Sequence, residues 1–95
     1  MPYILQNRRE VLDLQLDKLI DKLKFLEFKA GDMNYVISNI VGECFNNNPS
    51  YQTINDIVGA LEGIKLEFYR RVVESYENSK VATNGDIKPY LDFSI

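Results

Sequence analysis

Histidine is absent from this 95-residue chain, and cysteine occurs once, as Cys44. Those two shortages remove much of catalytic chemistry. No Ser-His or Cys-His pair is available to activate a nucleophile, and zinc sites built from Cys and His are excluded. A single cysteine closes no intrachain disulfide, which fits a reducing compartment such as the cytoplasm. No apolar run approaches the ~18 residues of a membrane span. The opening MPYILQNRRE places its charges after its short apolar part, the wrong order for a secretory signal. Basic residues do not dominate either: 11 Lys and Arg stand against 14 Asp and Glu, for a net charge of −3. Duplex nucleic acid, which wants a basic stripe, is therefore a poor partner.

What remains is ordinary for a globular protein, with 45% apolar and 26% charged residues. The length predicts a single helical domain over residues 1–86, followed by an extended tail over 87–95. A chain of this size buries roughly 65% of its unfolded surface, so the core is thin and association is a natural remedy.

Apolar spacing predicts an all-α fold of three helices, the last one long. The first runs from about Asn7 to Lys29, with Leu12, Leu16, Leu19, Leu23 and Leu26 stepping by four and three. Gly31 suits a left-handed position after that helix, and Asp32 suits the N-cap of the second. Met33, Val36, Ile37, Ile40, Val41 and Cys44 form the apolar face of the second helix, which ends in Asn46-Asn47-Asn48-Pro49. The third starts at Ser50 or at the Thr53–Asp56 capping box and continues to Asn84-Gly85.

That third helix carries more apolar surface than one flank requires. Ile54, Ile57, Leu61, Ile64, Phe68 and Val72 make one stripe; Leu66, Tyr69, Val73 and Tyr76 make a second. Gly59 and Gly63, four apart, cost about 1 kcal/mol each relative to Ala and suit close approach of another helix. A homo-oligomer contact through Gly59, Gly63, Leu66 and Val73 is expected.

Glu67, Arg70, Arg71, Glu74 and Glu77 interleave along the same segment as helical ion pairs. Arginine presents a planar fork suited to phosphate, and tyrosine rings stack on bases. Arg70 and Arg71 beside Tyr69 and Tyr76, with Tyr35 from the start of the second helix, therefore form the candidate ligand site. Glu62, Glu67, Glu74 and Glu77 are the raw material of a Mg²⁺ hydrolase, but such sites need acids from two converging helices. The second helix offers only Glu43 and the first its Asp13, Asp17 and Asp21 ladder. No catalytic residue, metal or cofactor is expected.

Several of these pieces together resemble a family of short proteins found in bacteriophages and scattered prokaryotes. The resemblance rests on Met1-Pro2-Tyr3-Ile4, on Gly31-Asp32-Met33-Asn34-Tyr35, on Tyr51 and on Gly59 to Glu62. It continues through Glu67-Phe68-Tyr69-Arg70-Arg71-Val72-Val73, Tyr76-Glu77, Lys80 and Asn84-Gly85-Asp86. Where members carry Ala-Pro before the Tyr-Glu pair, this chain has Glu74-Ser75, so its helix is spared a proline kink. The family has no established activity to transfer. The resemblance implies a phage protein acting in the host bacterial cytoplasm. Other small helical phage proteins, unrelated in sequence, trap nucleotide signals of host defence as oligomers. By that analogy the expected function is non-catalytic sequestration of a nucleotide-like ligand at a subunit interface. The alternative is a helical module that inhibits or adapts a host or phage protein.

Overall fold

A computed structural model of the chain describes residues 2–91, and all its regular elements there are helical. In order they are α1 (Gln6–Phe25), α2 (Ala30–Asn47), α3 (Tyr51–Phe68), a π-helical turn (Tyr69–Val73), α4 (Glu74–Asn84) and α5 (Lys88–Leu91). The all-α class agrees with the sequence reading. The chain divides into two units, Met1–Leu61 and Glu62–Ile95, each taken here by itself.

In the first unit, Leu5 caps α1 through its carbonyl, which accepts from the amides of Arg8 and Arg9 at 3.0 and 3.2 Å. Arg9 also donates through Nε to the Ile4 carbonyl at 2.8 Å, which ties the leading segment to α1. α1 stops at Phe25, earlier than Lys29. The Phe28 amide donates to the Leu23 carbonyl at 2.8 Å, and the Glu27 amide to that of Lys24 at 3.0 Å. That pair of bonds is a Schellman closure. Its left-handed positions are filled by Glu27 (φ 68°) and Phe28 (φ 51°) and not by glycine.

This turn corrects the expected helix boundary. Lys29 is the N-cap of α2, its carbonyl accepting from Asp32 and Met33 at 3.0 and 3.1 Å. Gly31 and Asp32 therefore lie inside the first turn. Asp32 acts there through its negative charge beside the positive helix end, and no side-chain cap bond forms. α2 ends at Asn47, as the Asn-rich run before Pro49 suggests.

Ser50 begins α3. Its Oγ accepts the Thr53 amide at 3.1 Å and lies 2.9 Å from Thr53 Oγ1. Asp56 is not part of a capping box; it accepts from Gln52 Nδ-type amide nitrogen Nε2 at 2.8 Å on the exposed surface.

Thr53, 8% exposed, is the one buried residue among those described, and no apolar side chain there is buried. In the first unit α1 and α2 scarcely touch along their lengths. Leu12 and Leu16 of the leucine seam are exposed, while Leu19 and Leu23 are half-buried.

In the second unit the helix passes through the π turn into α4. Gly85 stops it with φ 86°, its amide donating to the Val81 carbonyl at 2.8 Å. Asp86 Oδ1 accepts the Ile87 amide at 2.8 Å, and Lys88–Leu91 then form a single helical turn where extended chain is expected. The rest of the expected tail, 92–95, lies outside the described residues.

Candidate functional site

The tyrosine-arginine run falls on the one irregular turn inside the long helical stretch. The amide of Glu74 donates to the carbonyl of Tyr69, a five-residue step that widens the turn. Tyr69, Arg70, Arg71, Val72 and Val73 occupy it. Such turns are rare and recur at functional sites.

Glu67 organises the two arginines from the preceding turn. Its Oε1 accepts from Arg70 Nη2 at 2.7 Å and from Arg71 Nε at 3.1 Å. The glutamate side chain is 22% exposed and each arginine side chain 60% exposed. One half-covered carboxylate thus holds two guanidinium groups side by side and leaves one net positive charge among the three. Lys65 and Glu62 pair more loosely, at 3.7 Å and in the open.

Tyr69 and Tyr76 are exposed, and the Lys80 amine sits 5.4 Å from the centroid of the Tyr76 ring. The ring's negative face attracts the cation. Lys80 stands outside the sequence-predicted site, although its position four residues after Tyr76 was the available signal. The π turn had no signal of that kind, because a constant helical period is assumed in reading one.

Tyr35 belongs to the first unit. It is the sixth residue of α2, past the first turn, so the helix-end reading of Asn34-Tyr35 does not hold. Its ring is exposed, its carbonyl accepts from Asn39 Nδ2 at 2.8 Å, and Asn34 Oδ1 accepts from Ser38 Oγ at 3.2 Å. Tyr69, Arg70, Arg71 and Tyr76 share the second unit.

Of the expected interface residues, Gly59 lies on α3 with open space around it: a Cβ there meets nothing within 4 Å. Leu66 is exposed, and Gly63 and Val73 are half-buried. No group of three or more Asp, Glu or Cys side chains converges as a metal site among the described residues. No helix among them is long and apolar enough to cross a membrane.

Fold and site together define a small all-helical protein whose polar chemistry is concentrated on one widened turn. The chain belongs to the family described as Domain of unknown function (DUF6899), whose model matches residues 1–87. No curated protein and no solved structure matches it.

Proposed function

We propose that this protein is a non-catalytic binder that works as a homo-oligomer and captures a small nucleotide-like anion at Tyr69, Arg70, Arg71 and Tyr76. The observation that carries the reading is the bridge from Glu67 to both guanidinium groups on a π turn. The shared carboxylate fixes the forks before any ligand arrives, which lowers the ordering cost of binding. Phosphate oxygens accept from such forks, and the two exposed tyrosine rings offer faces to a base. Tyr35 of a neighbouring subunit is the candidate for completing the pocket. A phage-encoded protein with this property would deplete a host nucleotide signal in the bacterial cytoplasm.

A panel of mono-, di- and cyclic nucleotides tests this by thermal shift. One class should raise the melting temperature, by about 2.7 kcal/mol of added stability at a hundredfold excess over Kd. A flat response across the panel rejects the nucleotide reading. It would favour the second one, a module that docks on a host or phage protein, which the exposed Leu66, Phe68, Tyr69 and Val72 surface supports.

A further inference from the structure

The first unit contains an open cleft of about 420 Å³ lined by Asn34, Ile37, Ser38, Val41 and Gly42 of α2 and by Leu61 of α3. Asn34 and Ser38 satisfy each other across one helical turn, so the remaining wall is apolar. A Cβ at Gly42 meets nothing within 4 Å, which leaves room for a close neighbour. Two helices flanking such a cleft lack the third that a bundle needs. No residue of α1 lines it. Yet α1 carries an unmatched apolar seam, with Leu12, Leu16 and Leu26 exposed.

The connection between α1 and α2 is short and strained. It holds two consecutive non-glycine residues in the left-handed region, Glu27 and Phe28. Short strained hinges favour exchange of the element they carry between identical chains. We infer that the α2–α3 cleft of one copy receives α1 of a second copy, and reciprocally, so that the apolar core forms between chains. This rests on the homo-oligomer reading above and specifies its geometry.

The area supports a second copy as the occupant. The chain exposes 8730 Å². A folded monomer of this mass exposes about 5600 Å². The excess of roughly 3100 Å² is far beyond what a small ligand covers and exceeds the roughly 800 Å² per partner of a standard stable complex. A second copy also satisfies both halves of the problem at once, since it brings a seam for the cleft and a cleft for the seam.

The sole cysteine supplies the test. Cys44 is exposed on α2, two residues beyond Gly42, and carries a nitroxide label without further mutation. The labelled chain is unfolded and refolded together with an ¹⁵N-labelled Cys44→Ser chain, and line broadening is read on the ¹⁵N chain alone. The expected result is an assembly of at least two chains, an unfolding midpoint that rises with protein concentration, and broadening of α1 amides around Leu12 to Leu23. An assembly whose broadened amides lie outside α1 overturns the exchange and leaves oligomerisation standing. A folded monomer with a concentration-independent midpoint overturns both.

Discussion

Arg70 donates through Nη2 to Glu67 Oε1 at 2.7 Å, and the acceptor is the more covered partner, 22% against 60% exposed. The same oxygen serves Arg71. Glu67 therefore has two effects of opposite sign on an incoming anion: it positions the forks and it competes for them. In Glu67→Gln the positioning weakens, but the competing charge is gone. Exposed helical pairs are worth only about 0.3–0.5 kcal/mol each, so the melting temperature should fall by no more than a few degrees. Affinity for inorganic phosphate or a nucleotide should rise, with a steeper dependence on salt, whereas Arg70→Ala with Arg71→Ala should abolish it in a folded protein. Calorimetric titration at two ionic strengths decides. Equal or weaker anion binding by Glu67→Gln would show that the carboxylate belongs to the site and does not compete with it.

Glu27 stands where helices usually place glycine. Left-handed backbone costs an ordinary residue about 1 kcal/mol or more, a penalty glycine escapes. Glu27→Gly should therefore stabilise the chain by about 1 kcal/mol in urea unfolding at fixed protein concentration. The same change relaxes the hinge between α1 and α2, so the rate of subunit exchange between labelled assemblies should also alter. A destabilised Glu27→Gly variant would mean that the Glu27 side chain makes a contact worth more than the strain.

Ser50 closes the N-terminus of α3 with one hydroxyl that serves both the amide and the side chain of Thr53. Ser50→Ala leaves that amide and the buried Thr53 hydroxyl without this partner, and the cost should lie near the upper end of the ~0.5–2 kcal/mol range for lost caps. Asp56→Asn keeps the exposed contact with Gln52 and should stay within about 0.5 kcal/mol. Chemical denaturation of the two variants side by side distinguishes a Ser50 cap from a Thr53–Asp56 capping box, for which the ranking reverses.

These cases mark where the fold was legible in the residues. Local hydrogen-bond chemistry reads well: Ser50, the Asn run before Pro49 and the Asn84-Gly85 stop all act within one turn of their own position. The boundary between α1 and α2 was misplaced because Gly31 looks like the left-handed residue, while the chain bends four residues earlier at Glu27 without one. The stripes on the long helix assumed a uniform period. The π turn sets back whatever follows by roughly 100°, so Phe68 does not continue into Val72, nor Tyr69 into Tyr76, as drawn. Charge pairing of Glu67 with Arg71 survives because it closes before that turn. The lack of a core inside one chain is beyond any periodicity, since apolar spacing records that a face needs covering and not which molecule covers it.

Gly59 gives the most direct reading of that missing cover. Nothing in its own chain comes within 4 Å of a Cβ there, so intrachain packing does not explain a glycine in the interior of α3. For a solitary chain, Gly59→Ala should be favourable by about 1 kcal/mol through helix propensity alone, and Gly59→Leu should fit as well. If another copy of the helix rests on this face, the leucine holds the two backbones apart and assembly fails. The expected outcome is therefore a lower solution mass for Gly59→Leu, by light scattering, together with a lower unfolding midpoint at matched concentration. Gly31→Ala, which also enters open space but in the first turn of α2, is the control and should leave the mass unchanged. A Gly59→Leu protein of normal mass and raised stability would remove Gly59 from the interface and leave the cleft beside Gly42 as the place where copies meet.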